Sequence, residues 1–235
     1  MKNHLLLMMG GSGTRLGADR PKQYIEVNGM PIFAYILAKY GTLTNIDSIV
    51  IVSHEAWFDY VEEWKEKLHL SKYIRIVGGG ANRSQSVRNG LRELSKFASP
   101  EDSVLIHDAT HPYVDEKGTD GVIEALKTYE GATLGAYQYD TVYRVNDDDV
   151  IDSVIPRRYV VSGASPEAFR FERIFDIYNN ASEEELEAMT SAGAIALEHG
   201  IQMKVVPANV INLKITYKND MEAFMKMVDT YFFEE

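Results

Sequence analysis

The stretch MMGGSGTRLGADRPKQY, residues 8–24, sets Gly10, Gly11 and Gly13 after an apolar run and follows them with two cations, Arg15 and Lys22. Glycines let a backbone come close to a ligand and turn its N–H groups toward an anion. Arg15 offers a planar fork of donors to phosphate oxygens, and Lys22 a compact point charge. This combination suits a nucleoside triphosphate held for attack at its α-phosphorus. The bland alternative is a tight turn with surface cations. A Walker loop is excluded because no Gly-Lys-Ser/Thr follows, and a dinucleotide fingerprint starting at Gly11 would need glycine where Leu16 stands.

A second loop, GGGANRSQSVRNGL, is a glycine turn leading into a helix that Ser84 could cap. Gly80 and Ala81 could present backbone groups, and Ser86 a hydroxyl, to the edge of a nucleobase. The third, HDATHP, puts a carboxylate, Asp108, where a divalent metal or a ribose hydroxyl would suit it. His107 and His111 lack the helical context of a zinc pair, so one buried structural histidine and one facing substrate is the preferred reading. Late in the chain come Arg157, Arg158 and Lys214. Lys214 lies in NLKIT, read as a strand; an inward lysine there should meet an anion, whereas an edge lysine would be solvated.

These groups need a scaffold that brings three loops to one place. Apolar runs at Leu5–Met9, Ile49–Val52, Ile74–Val77, Val104–His107 and Thr133–Tyr137 alternate with amphipathic stripes such as Val87, Leu91, Leu94 and Val122, Leu126, Tyr129. Alternation of this kind predicts an α/β fold with a doubly wound, mostly parallel sheet in a single domain over 1–235. Ligands in such folds bind outside the carboxyl ends of the strands, which is where all three loops fall. The run DTVYRVNDDDVIDSVIPRRYVV breaks the rhythm and reads as a protruding β-hairpin arm at about 138–162, suited to packing on a second subunit. Helices near 167–179 and 184–199 are expected after it, then a strand near Met203–Val206 and a final helix with Met221, Phe224, Met225, Val228 and Phe232 on one face.

The chain of 235 residues carries 24 basic and 35 acidic residues, net charge −11, which disfavours nucleic acid as a partner. No apolar run reaches the roughly 20 residues of a membrane span, and LLLMM is too short for a signal-peptide core. No membrane role and a cytoplasmic location are the expectations. With no cysteine, disulfides and thiolate metal sites are excluded.

The three loops, DTV at 140–142, Arg157 eight residues before Ser165-Pro166, Thr190 and NLKIT occur in an order that resembles the cytidylyltransferases making CDP-linked polyols. That family includes the methylerythritol-phosphate and ribitol-phosphate enzymes. The resemblance implies CTP as donor, Mg²⁺ as metal and a homodimer that exchanges its arms. It implies that Arg15 and Lys22 grip the triphosphate and that Gly80, Ala81 and Ser86 read cytosine. Asp108, Thr141, Arg157, Ser165, Thr190 and Lys214 would line the polyol-phosphate pocket, with Lys214 orienting the incoming phosphate.

The departures fall on the acceptor side: His111 where the family usually has Arg, Ser165-Pro166-Glu167 for Thr-Pro-Gln, and Thr190-Ser191 for Thr-Asp. A polyol phosphate other than methylerythritol phosphate is therefore expected, such as ribitol 5-phosphate, arabinitol phosphate or glycerol phosphate. Open alternatives are methylerythritol phosphate itself, a nucleotide-binding protein without catalysis, and a nucleotide-sugar pyrophosphorylase using UTP or dTTP.

Overall fold

The computed structural model describes residues 1–11, 20–189 and 191–233. In chain order the strands are β1 (Asn3–Met9), β2 (Glu26–Val27), β3 (Met30–Pro31), β4 (Ser48–Ser53), β5 (Tyr73–Gly78), β6 (Ser103–Asp108), β7 (Gly131–Tyr137), β8 (Val142–Val145), β9 (Ile151–Ile155), β10 (Val161–Arg170) and β11 (Met203–Pro207). The helices are α1 (Ile32–Thr42), α2 (Phe58–Lys67), α3 (Arg83–Leu94), α4 (Glu116–Ala125), α5 (Phe171–Asn180), α6 (Glu183–Ala188), α7 (Ala192–Glu198) and α8 (Lys218–Phe233).

Seven strands form one sheet in the order β11-β7-β10-β6-β1-β4-β5. Only β10 runs against its neighbours, β6 and β7; the other pairs are parallel. Strand periodicity explains why LLLMM is apolar throughout. Successive side chains point to opposite faces, and both faces are covered. Leu5, Leu7 and Met9 enter one core with α1, α8 and Val122 of α4. Leu6 and Met8 enter the other, with Val87, Leu91 and Leu94 of α3 and Ile174 and Tyr178 of α5. Close packing on this second face requires Gly90, where a Cβ would lie 2.3 Å from Leu6 Cδ1 and 2.8 Å from Val52 Cγ2.

The two-faced sheet, its five early strands and the hairpin arm match the sequence reading. Four details differ. Residues 167–170 belong to β10, not to a helix: Glu167, Ala168 and Phe169 pair with both β6 and β7, and a register shift between Ala164 and Glu167 accommodates Pro166 in an interior strand. The segment 184–199 is two helices, and Ser191 caps the second by accepting the Ala194 N–H at 3.0 Å. NLKIT is not a strand but a loop, held where the Ile215 N–H donates to the Thr110 carbonyl at 2.8 Å. Met225 faces solvent while Met221, Phe224 and Val228 are buried.

The arm is a separate two-stranded sheet, β8 with β9. Its turn is fastened by the Asn146 side-chain oxygen, which accepts the N–H groups of Asp148 and Val150. Tyr139, Tyr143, Val150, Ile151, Val154 and Tyr159 are all exposed along it.

Candidate functional site

A cavity of about 600 Å³ opens at the carboxyl edge of β1, β5 and β6. Gly10, Gly11, Lys22, Gly80, Ala81, Ser86, Asp108 and Lys214 line it, so eight residues singled out by type and spacing meet in one place. Arg15, Gly13 and Thr190 lie outside the described residues.

The first loop is held by the PKQY turn. Gln23 donates from Nε2 to the carbonyls of Met9 (2.7 Å) and Gly11 (2.8 Å), and the Tyr24 hydroxyl donates to Met9 O at 3.2 Å. Tyr24 is itself pinned by stacking on Trp57, with ring centroids 4.3 Å apart. Lys22 is buried against the cavity wall and its Nζ donates to the Ile215 carbonyl. A cation is thereby fixed at the cavity.

The second loop differs in detail from its sequence reading. Asn82, not Ser84, caps α3, its Oδ1 accepting the Gln85 N–H at 2.8 Å. The Ser86 hydroxyl donates to Asn82 O at 2.8 Å and accepts the Gly80 N–H at 2.9 Å. The Ala81 N–H is taken by Gln85 Oε1 at 2.8 Å. So the donors of Gly80 and Ala81 are spent inside the loop, and their carbonyls are what the loop can offer a ligand. The loops approach closely at Gly10 and Gly79: a Cβ on Gly10 would be 3.3 Å, and on Gly79 3.1 Å, from Ser86 Oγ, tight enough that Ser86 would have to give by a few tenths of an ångström.

Asp108, at the end of β6, lines the cavity between two cations. Arg83 donates to its Oδ1 from Nε (3.1 Å) and Nη2 (3.0 Å), and Lys214 Nζ lies 3.6 Å from Oδ2. Burial opposes the Asp108 charge, but Arg83 and Lys214 outweigh it and hold the carboxyl below its ordinary range. Glu167 also faces Arg83, at 3.8 Å, and accepts the Gly193 N–H at 2.8 Å. Burial outweighs Arg83 here and raises its pKa.

His107 is fully buried and both its nitrogens are committed. Nε2 donates to His111 O at 2.8 Å, leaving Nδ1 to accept the Tyr40 hydroxyl at 2.9 Å. No ring nitrogen remains for a metal. His111 Nδ1 lies 2.9 Å from Ser165 Oγ, and Ser165 also accepts the Asp108 N–H at 3.3 Å. Either group can be the donor in the Ser165–His111 hydrogen bond, according to the His111 tautomer. Burial pushes His111 down to about 3 and His107 to about 4, so both are neutral. The expectation that His111 faces substrate changes: it lines a small hollow with Tyr113, Ser165 and Leu213 behind Asp108, outside the main cavity. Thr141 and Arg157 also lie outside the cavity of this chain. Both are exposed on the arm, where Arg157 donates to the Tyr139 carbonyl.

Sequence reasoning misses Gln23, Asn82 and Arg83, and marks Glu167 only as a departure from the family pattern. Arg83 had a readable signal. It is the first residue of α3, where a cation opposes the helix dipole, so its charge needs a partner from elsewhere in the fold.

Glycine loops at the carboxyl edge of a mostly parallel sheet, over a cavity carrying fixed lysines and one carboxylate, define a nucleotidyltransferase site. The family model for 2-C-methyl-D-erythritol 4-phosphate cytidylyltransferase, IspD, matches residues 4–228, and the chain belongs to this family of cytidylyltransferases. It is 28% identical over 229 residues to a ribitol-5-phosphate cytidylyltransferase of Vibrio parahaemolyticus, covering 97% of this chain and 96% of that one. It is 34% identical over 221 residues to a 2-C-methyl-D-erythritol 4-phosphate cytidylyltransferase of Syntrophus aciditrophicus, covering 92% and 93%. Among solved structures, 4-diphosphocytidyl-2C-methyl-D-erythritol synthase from Anaerococcus prevotii superposes with a TM-score of 0.81 at 27% identity, over 97% of this chain and 96% of that one.

Proposed function

We propose that this cytidylyltransferase joins CTP to a polyol phosphate, with ribitol 5-phosphate, arabinitol phosphate or glycerol phosphate as the acceptor class, to give a CDP-polyol and pyrophosphate. The observation that carries the reading is the single cavity shared by both glycine loops, Lys22, Asp108 and Lys214. Carbonyls at Gly80 and Ala81 accept hydrogen bonds. Cytosine offers its exocyclic amine to such acceptors, whereas uracil and thymine present a carbonyl at the same position. That favours CTP over UTP or dTTP.

The acceptor phosphate is already an anionic nucleophile, so the reaction needs no general base. Its oxygen bonds to the α-phosphorus of CTP. The bond from that phosphorus to the bridging oxygen breaks, and its electron pair leaves on pyrophosphate. Catalysis is then positioning and charge stabilisation. Lys22, with Arg15, stabilises charge at the α-phosphoryl group, and Lys214 orients the incoming phosphate. Fixed cations suited to a phosphoryl group speak against a protein that only binds nucleotide.

The donor set fits Mg²⁺ in one way. Among the described residues no three His, Asp or Glu side chains gather into a metal cage, and Arg83 occupies Asp108 Oδ1. Among the described residues Asp108 Oδ2 accepts no hydrogen bond and has only Lys214 near it, at 3.6 Å, and one such carboxylate oxygen plus substrate phosphates is how Mg²⁺ is commonly held. When bound, the ion supplies neutralisation of phosphate charge.

The acceptor class rests on the departures from the family pattern at His111, Ser165, Glu167 and Ser191. The neutral His111 and the acidic Glu167 stand behind the cavity wall near Asp108 and Arg83 and leave that region less cationic than the family pattern. Methylerythritol phosphate is the second reading, favoured by the family match and by the 34% identical relative. We further propose a cytoplasmic homodimer in which each arm, with its exposed apolar residues, brings Thr141 and Arg157 to the other subunit's cavity. CTP and Mg²⁺ with a panel of polyol phosphates, read by the mass of the CDP product, tests the reading. Turnover of methylerythritol phosphate alone would transfer the assignment to the second reading, and no pyrophosphate release with any acceptor would overturn both.

A further inference from the structure

Resting on that reading, we propose that Arg83 is a positioning residue that couples the nucleotide half of the site to the acceptor half by aiming Asp108. Arg83 belongs to the base loop by sequence: it follows the Asn82 cap directly, and the same first turn holds the Gly80 and Ala81 N–H groups through Ser86 and Gln85. Its side chain leaves that loop and places both Nε and Nη2 on one oxygen of Asp108. A guanidinium fork usually spans both oxygens of a carboxylate. Here it takes Oδ1 alone, so Oδ2 is turned toward Lys214 and the cavity.

The same Nη2 is 3.8 Å from Glu167 Oε2, and Glu167 is fixed by the Gly193 N–H at the start of α7. Nη1 is buried with no hydrogen-bond partner. A buried donor left unmade costs free energy, as does a cation at a helix N-terminus. An ion pair of purely structural value would not need to be built at this unfavourable spot. A residue that must touch both halves of the site has no other place to stand. The charged groups around Asp108 are Arg83 from α3, Lys214 from the NLKIT loop and Glu167 from β10, and only Arg83 is continuous with the base loop.

The test is the pair Arg83→Gln and Arg83→Lys, alone and combined with Asp108→Asn. Arg83→Gln should raise KM for the polyol phosphate by about 10- to 100-fold, the usual cost of losing a group that orients a ligand-contacting residue. The Kd for CTP, measured by calorimetry without acceptor, should change by less than about threefold, well under 1.4 kcal/mol. Arg83→Lys keeps the charge without the fork and should recover part of the loss. Arg83→Gln added to Asp108→Asn should cost nothing further, since the two act as one unit. Equal losses for CTP and acceptor, or additive losses in the double variant, would overturn the proposal.

If Arg83→Gln does not fold, judged by thermal unfolding, Arg83→Lys carries the same comparison. A crystal structure of the variant provides a readout independent of turnover. The Asp108 carboxylate should leave its present orientation, and an unmoved carboxylate would refute the positioning role whatever the acceptor proves to be.

Discussion

Lys22 and Ile215 are joined across 193 positions of sequence by one hydrogen bond, from the lysine Nζ to the isoleucine carbonyl. This contact places Lys22 beside the loop that carries Lys214, so the two lysines share a common frame across the cavity. Lys22→Ala should lower kcat by about 10²–10³, the loss typical of a preorganised charge-stabilising donor. It should also speed amide exchange at Lys214–Thr216. A kcat within threefold of the parent would remove Lys22 from the chemistry, and unchanged exchange would remove it from the frame.

Ser86 closes the base loop through two hydrogen bonds. Ser86→Ala leaves the Gly80 N–H to find water, while the Asn82 carbonyl keeps the backbone N–H of residue 86; the net cost is about 0.5–1.5 kcal/mol for each side-chain bond lost. KM for CTP should rise accordingly, and discrimination against UTP should fall as the Gly80 and Ala81 carbonyls lose their fixed direction. Steady-state kinetics with both nucleotides read the two effects separately.

His111 and His107 set a pH dependence of stability. Folding lowers His111 from its ordinary 6.5 to about 3 and His107 to about 4. The unfolded chain therefore binds more protons below pH 6.5, and stability falls as pH falls from there toward the folded values. Each histidine contributes up to about 1.4 kcal/mol per pH unit in that window. Urea midpoints between pH 7 and pH 4.5 should show the slope. His111→Asn should reduce it, and an identical slope in the variant would contradict the burial of a neutral ring. Glu167, with its pKa raised above the ordinary 4.5, slopes the other way from about pH 4.5 upward, inside the same window, so the comparison is between variants.

Gly90 in α3 faces Leu6 and Val52 with no room for a methyl group. Gly90→Ala gains helix propensity worth roughly 1 kcal/mol but overpacks the sheet face. The expected net effect is destabilisation of about 1–2 kcal/mol. A higher Tm for the variant would show that α3 can shift without cost.

The arm proposal is checked by complementation. Lys22→Ala and Arg157→Ala should each be weak as homodimers. If each arm serves the other subunit's cavity, a mixed dimer of the two carries one intact site and recovers activity. Failure of the mixed species to exceed either parent would place Arg157 outside the reaction. Sedimentation should first show the dimer.

Much of this fold could be read from apolar alternation, because strands buried on both faces leave continuous runs such as LLLMM and SIVIVS. The exceptions were set by tertiary pairing. β10 contains Gly163, Pro166 and a helix-favouring Glu-Ala pair, and only its two strand neighbours make it a strand. NLKIT has strand composition but takes its shape from Thr110 and Lys22. At the site, glycines and lone cations were legible because they make little sense as packing. Gln23 was not, and Glu167 was legible only as a departure from the family pattern, because their partners are carbonyls and N–H groups that sequence does not place. Ser86 was singled out by position and lines the cavity, but its hydroxyl takes up the Gly80 N–H that the sequence reading left free.

The chain leaves the sheet for its arm after Tyr137 and returns at Val161, and those two residues are direct partners across an antiparallel pair. Topologically, everything from 138 to 160 is therefore one long hairpin connection between adjacent strands. Its length and content can vary without changing sheet register, so a short turn grafted across Tyr137 and Val161 should yield a trunk that folds by itself. The part of the molecule suited to association is in this sense a detachable module, free to diverge while the catalytic edge stays fixed.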